Sequence, residues 1–144
     1  MPTTIRDSDE ILIKTEGDIV AARRTIRDAA TSLGFGQTDV ARIVTASSEL
    51  ARNVFRYAGE GLMRWKALHQ GERVAIEIQF IDHGPGIADI SLAMKEGYSS
   101  GGGMGMGLPG AKRLVDELEI ESVIGQGTTV TLRKWRRNEQ AERV

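Results

Sequence analysis

An α+β fold is the class this sequence predicts: a two-layer sandwich in which helices cover one face of a mixed, mainly antiparallel sheet. Three observations carry that prediction. Two long stretches of the N-terminal half repeat apolar residues at helical spacing, and later stretches alternate apolar and polar residues at period two. The segments also follow one another as strand, two helices, hairpin, two helices, hairpin, an order that stacks helices on a sheet.

Each element has its own warrant. Residues 9–15 alternate around Ile11 and Ile13 and read as a short strand. Asp18 is placed to cap a helix whose seam is Ile19, Ala22, Ile26, Ala29 and Leu33, ended by Gly34. Thr38 or Asp39 then caps a second helix, with Val40, Ile43, Val44, Ser47, Leu50, Val54 and Tyr57 along one face and Gly59 and Gly61 stopping it. Met63, Trp65 and Ala67, and after the turn at 69–72 Val74, Ile76, Ile78 and Phe80, alternate as a hairpin with one buried face. A short helix is expected over 88–96. Another is expected over 108–118, on Leu108, Ala111, Leu114, Val115 and Leu118. Strands over 119–124 and 128–135, joined by Gly125-Gln126-Gly127, complete the chain, and the charged tail 136–144 is expected to fray. With 144 residues and no linker or repeat, one domain over 1–144 is expected.

Composition removes several function classes. A formal net charge of −1 offers no basic footprint for nucleic acid or an anionic membrane. No apolar run approaches the roughly 20 residues that span a bilayer, and the first residues lack a signal peptide's apolar stretch. With no cysteine and two histidines, disulfides, thiolate chemistry and a histidine-rich zinc site are set aside, and a cytoplasmic protein is the expectation. The 17 glycines cluster in loops between apolar stretches, which suits ligand-holding turns.

Three spaced motifs carry chemistry. Glu49 and Asn53 lie four apart, so they share one helical face beside the Leu50–Val54 seam. Asn supplies a neutral oxygen of the kind Mg²⁺ accepts, and Glu can orient or deprotonate a nucleophile. Asp82 ends a strand and precedes Gly84-Pro85-Gly86-Ile87; an acid there can accept from an exocyclic amine while bare backbone approaches a flat base. Gly101–Gly107 holds five glycines and a run straight into a helix at Leu108, where free amides and the helix dipole can meet phosphate. It is neither a Walker loop, having no Gly-Lys-Ser/Thr, nor a dinucleotide fingerprint, since no strand precedes it. A fourth element, Gly127-Thr128, adds a hydroxyl within reach of phosphate. Singly, each has a plainer reading: a solvated helix surface, a tight turn, a flexible loop, a hairpin turn.

In this order the residues resemble the ATP-binding domain shared by gyrase, Hsp90, histidine kinases and the MutL proteins, the GHKL or Bergerat fold. The resemblance implies that Asn53 ligates Mg²⁺, Asp82 binds the adenine amino group and Glu49 is the general base. It further implies that Gly84, Gly86, Ile87, Gly103, Gly105, Gly107, Leu108 and Thr128 contact ATP. Without a phosphoacceptor-histidine helix or transducer domain, the chain looks more like the small serine/threonine kinases of bacterial sigma-factor switches. The segments Leu33-Gly-Phe-Gly36, Ser48-Glu-Leu-Ala-Arg-Asn53 and Gly107-Leu-Pro-Gly110 resemble the RsbT-type switch kinases of the stressosome. That likeness implies phosphorylation of STAS-domain scaffold or antagonist proteins. It also implies that the released kinase activates a downstream phosphatase or other signalling protein in a bacterial stress response, and that a homodimer can form. Arg23 is a candidate cation for the γ-phosphate, acting in its own chain or from a partner. An anti-sigma-factor kinase, or a nucleotide-binding docking module without catalysis, are the alternatives. Retention of Glu49 beside Asn53 and Asp82 favours an enzyme, because a pure binder needs no base.

Overall fold

The computed structural model describes residues 4–95 and 107–137. Strands β1 (Thr4–Ile13), β2 (Gly61–Gln70), β3 (Arg73–Asp82), β4 (Glu117–Val123) and β5 (Gly127–Trp135) form one sheet in the order β1-β2-β3-β5-β4. All four pairings are antiparallel. Helices α1 (Glu16–Ser32), α2 (Gln37–Ala58), α3 (Ile90–Ala93) and α4 (Gly107–Leu114) complete the expected element order.

Both long helical seams are buried as their spacing predicts. Ile19, Ala22, Ile26 and Ala29 of α1 and Ile43, Val44, Ser47, Leu50 and Val54 of α2 face inward. They join Ile13, Met63, Ile76, Ile78, Phe80, Val130 and Leu132 of the sheet in one core cluster. Each fully buried Ile, Leu or Phe contributes about 1.5–3 kcal/mol of apolar transfer, so this layer contact dominates the stability of the fold. At the ends of the α2 seam the fit loosens: Val40 is partly buried and Tyr57 exposed.

The helix starts differ from the sequence expectation. Thr15, not Asp18, caps α1; its hydroxyl accepts from the Asp18 amide at 3.1 Å. Asp18 is the reciprocal partner of a capping box, its carboxylate accepting from the Thr15 and Lys14 amides at 3.0 and 2.9 Å. Those bonds hold its pKa below the ordinary carboxylate value, the Lys14 amide contributing most. Gly36 occupies the N-cap of α2 without a side-chain bond. Asp39, expected as a possible cap, is instead 3% exposed, with Lys134 Nζ at 3.7 Å, Arg42 Nη1 at 3.0 Å and Arg137 Nε at 3.0 Å. The end of β5 is thereby tied to the start of α2.

Strand bounds shift for equally physical reasons. β1 begins at Thr4, because Asp7, Asp9 and Glu10 are tolerated on an exposed edge strand. The helix expected over 108–118 ends at Leu114, and Leu118 lies in β4, where Leu118 and Ile120 alternate with exposed Glu117, Glu119 and Glu121. α3 is confined to Ile90–Ala93, begun by Asp89, whose side chain accepts from the Leu92 amide at 3.0 Å.

The hairpin is more buried than a one-faced strand pair. Glu77, on the face of β3 away from the helices, is 7% exposed and stands in a cross-strand row with Lys66, Arg133 and Glu117. Lys66 Nζ lies 3.2 Å and Arg133 Nη2 2.6 Å from its carboxylate, while Arg133 Nη1 reaches Glu117 at 3.0 Å. Hydrogen bonding to Glu77 is the main reason the Arg133 guanidinium holds its proton more tightly than usual. Alternating signs across four strands keep this face polar without a second layer.

Candidate functional site

A cavity of about 380 Å³ opens where the C-terminal half of α2, the end of β3, the start of β5 and the start of α4 converge. That volume falls in the range of small-molecule sites, roughly 300–1,000 Å³. Its apolar walls are the core residues Leu50, Val54, Phe80 and Val130, with Ile87 and the partly buried Leu108 beside them. Asn53, Asp82 and Thr128 bring the polar groups. Many of these walls were read from sequence as core or seam.

Register places the acid and the hydroxyl side by side. Asp82, the last residue of β3, pairs with Thr128 of β5 across the ladder, so their β-carbons stand about 5 Å apart on one face. Asp82 Oδ1 accepts from the Gly84 amide at 2.9 Å, an Asx turn that fixes the carboxylate at the cavity. The following turn docks on the β4–β5 hairpin. Ile87 N donates to Ser122 Oγ at 2.7 Å, and Gly125 N donates to the Pro85 carbonyl at 2.9 Å. Gly86 has φ +80°, and a β-carbon there would lie 2.5 Å from the Val123 carbonyl oxygen, so both conformation and space demand glycine. Gly84 packs on Ala58 at the end of α2. Both glycines of this motif therefore serve close backbone approach.

Across the cavity, Gly107 opens α4 against α2. A β-carbon on Gly107 would stand 2.9 Å from Asn53 Nδ2, so the missing side chain is what lets the amide lie at the helix start. The first turn of α4, whose amides have no partner within the helix and whose dipole end is positive, thus borders the cavity next to Asn53. One neutral oxygen with free backbone nearby suits Mg²⁺, which keeps most of its waters and takes few protein ligands beside phosphates. No group of three or more His, Asp or Glu that could cage a metal occurs among the described residues.

Asn53, Asp82, Gly86, Ile87, Gly107, Leu108 and Thr128 all line this one cavity. Gly84 supports the Asp82 turn from behind. Glu49 and Arg23 do not line it. Glu49 is about a quarter exposed, one turn before Asn53, and its Oε1 holds Arg52 Nη1 at 2.9 Å. Arg23 is exposed on α1. Gly103 and Gly105 lie outside the described residues.

Four residues at or beside the site carry no functional mark in the sequence motifs. Arg52 carried no assignment, though its i,i+3 spacing from Glu49 predicts the pair. Tyr57 and Leu92 line the cavity from exposed positions, and an apolar side chain left on the surface beside a motif is the signal that finds them. Ser122 leaves no trace in sequence.

The chain has known relatives. The family described as "histidine kinase-like ATPase domain" matches residues 13–134. The chain is 47% identical over 133 residues to the serine/threonine-protein kinase RsbT of Bacillus subtilis (strain 168), covering 92% of this chain and all of that protein. It is 34% identical to an anti-sigma F factor of Thermoanaerobacter sp. (strain X514), over 79% of this chain and 82% of the relative. The crystal structure of RsbU and RsbW domains from a Mycobacterium tuberculosis protein superposes with a TM-score of 0.65 at 22% identity, covering 92% of this chain and 34% of the other; it supports the fold alone. The chain belongs to the histidine kinase-like ATPase domain family, among its serine/threonine-protein kinases.

Proposed function

We propose that this chain transfers phosphate from ATP to serine or threonine on STAS-domain scaffold or antagonist proteins of a bacterial stress-response switch. When released, it binds and activates a downstream phosphatase or other signalling protein. The observation that carries the ATP part is the convergence of Asp82 with Thr128 and of Asn53 with Gly107 on one apolar-walled cavity. Regulation of sigma factors follows from the kind of relatives the chain has, the RsbT kinase and the anti-sigma F factors. Partner identity rests on the likeness to RsbT-type kinases, and a cytoplasmic setting and a homodimer belong to the same reading. No helix among the described residues is long and apolar enough to cross a membrane.

In this reading Asp82, held by the Gly84 amide, accepts from the adenine amino group, and Thr128 beside it completes the polar edge. Leu50, Val54, Phe80 and Val130 sandwich the base and exclude water. The start of α4 at Gly107 and Leu108, preceded by Gly103 and Gly105, offers amides to the phosphates. Asn53 would hold Mg²⁺, which when bound neutralises phosphate charge. Glu49 takes the proton of the substrate hydroxyl. To do so its carboxylate must exchange Arg52 for the hydroxyl, and an exposed i,i+3 pair costs only about 0.5 kcal/mol to break. Arg23 would reach a γ-phosphate only from another chain or after rearrangement, since α1 presents it to solvent. Chain 1–144 is taken to act as a single domain.

The test is label transfer from ATP in the presence of Mg²⁺ to a STAS-domain scaffold protein. Transfer to serine or threonine that disappears with Asp82→Asn supports the reading; ATP binding without transfer to any such scaffold refutes it. An anti-sigma-factor kinase is the second reading, favoured by the 34% identity to anti-sigma F factors. Capture of a sigma factor by the chain, with label on an antagonist rather than a scaffold, would select it.

A further inference from the structure

Ser122 stands on β4 opposite Thr128, and Thr128 stands opposite Asp82, so the three form one row across β4, β5 and β3 that ends at the cavity. Ser122 does not line the cavity, yet its hydroxyl touches two groups that do. Oγ accepts from the Ile87 amide at 2.7 Å, lies 2.8 Å from Thr128 Oγ1, and lies 3.2 Å from the Gly127 carbonyl.

A hydroxyl has one proton and two lone pairs, so the possible arrangements can be counted. The Ile87 amide takes one lone pair. If the Ser122 proton goes to the Gly127 carbonyl, Thr128 must donate to Ser122 and turns only lone pairs to the cavity. If the proton goes to Thr128, over the shorter of the two contacts, the Thr128 proton is left for the cavity. In the second arrangement the row presents an acceptor, the Asp82 carboxylate, beside a donor, the Thr128 hydroxyl. That order complements an edge with an amino group next to an unprotonated ring nitrogen, as on adenine. It opposes the carbonyl and ring N–H of guanine.

We propose that Ser122 is a positioning residue for base selection: it donates to Thr128, sets that hydroxyl to donate into the cavity, and clamps the Ile87 end of the Asp82 turn against β4. The inference rests on the ATP reading above and adds to it the residue that orders the protons. A merely structural serine would support every nucleotide equally. One that orders the Thr128 proton supports adenine over guanine.

The experiment is calorimetric titration of the full chain with ATP and with GTP in excess Mg²⁺, for wild type, Ser122→Ala, Ser122→Thr and Asp82→Asn. Loss of the two hydrogen bonds should raise the Kd for ATP about tenfold in Ser122→Ala. The Kd for GTP should change little, so the preference for ATP falls about tenfold as well. Ser122→Thr keeps the hydroxyl on a strand that favours β-branched residues, and should restore both values to within about threefold. Equal weakening of ATP and GTP, no weakening, or a Ser122→Thr variant as poor as Ser122→Ala overturns the inference. If wild type binds ATP, Asp82→Asn does not, and Ser122→Ala equals wild type, only the inference falls. If wild type fails to bind ATP, or Asp82→Asn binds it unchanged, the ATP reading falls and takes the inference with it.

Discussion

Replacing Gly107 with alanine should separate folding from function. Gly107 is the first residue of α4 and has no positive φ, so alanine is conformationally acceptable there. By helix propensity and by the reduced entropy of the unfolded chain, the change should stabilise the fold by up to about 1 kcal/mol. Its new β-carbon, however, would lie 2.9 Å from Asn53 Nδ2. That atom is the far end of a flexible side chain, so the clash is relieved by swinging the amide away at little cost to the fold. In the proposed function the same amide is the one protein ligand of Mg²⁺. Losing a polar contact to a charged group costs about 1.5–3 kcal/mol, which weakens Mg·ATP binding roughly 10- to 150-fold. Thermal unfolding of the nucleotide-free chain should therefore show an unchanged or raised Tm, while titration with ATP and Mg²⁺ shows the loss. Adding Asn53→Ala gives the cross-check: if Gly107→Ala acts through Asn53, the two losses are far from additive. Unchanged Mg·ATP affinity in Gly107→Ala, or strictly additive losses, would refute the reasoning.

Other expectations follow from the same contacts. Asp82→Asn keeps an acceptor for the Gly84 amide, so the fold should survive, while presenting NH₂ to an amino group should abolish measurable ATP binding by calorimetry. Glu49→Gln should leave ATP affinity within about twofold, because Glu49 lies off the cavity, and should cut phosphotransfer at least about 100-fold, within the range assigned to general bases; a fully active variant would remove Glu49 from the chemistry. Asp39→Ala leaves Lys134, 6% exposed, with the half-exposed Asp116 at 3.6 Å as its acid among the described residues. The cost should be about 3 kcal/mol in urea unfolding, mostly recovered by adding Lys134→Met. Asp18 has a lowered folded-state pKa, set first by the Lys14 amide, so its contribution is complete above the ordinary carboxylate pKa and is lost as pH falls through the depressed value. Urea midpoints measured from pH 5 downward should thus fall less steeply for Asp18→Asn than for wild type.

Much of the fold was legible because burial on one face writes a period into the chain. The α1 and α2 seams and the β2–β3 alternation needed no tertiary knowledge. What failed were the positions decided by distant partners. Asp39 has the composition of a cap, but Lys134 and Arg137, far along the chain, draw it into a buried cluster. Leu118 extends the helical spacing of Leu108, Ala111 and Leu114, yet its cross-strand partner Leu132 makes it a strand residue. There the apolar positions fit both periods, and the sheet edge decided. Glu77 alternates as a solvent residue should, and is buried only because Lys66 and Arg133 close over it from the neighbouring strands.

The candidate site divides along the same line. Asn53, Asp82, Gly86 and Gly107 can be found in sequence because each answers a local demand: an amide one turn from an acid on a helix, an Asx turn, a positive φ, a helix start. Their meeting in one cavity depends on which strands are neighbours, and the chain order β3, β4, β5 hides that β5 lies between the other two. This crossover sets Thr128 beside Asp82, and puts Ser122 behind Thr128 at the sheet edge, beyond the reach of the cavity. A serine on an edge strand has no local demand to satisfy, so nothing in its sequence neighbourhood marks it. Its importance is a property of the row. The same reasoning says where else to look in folds of this kind: at hydroxyls one strand removed from a motif residue, in register with it, whose protons decide what the visible residues can read.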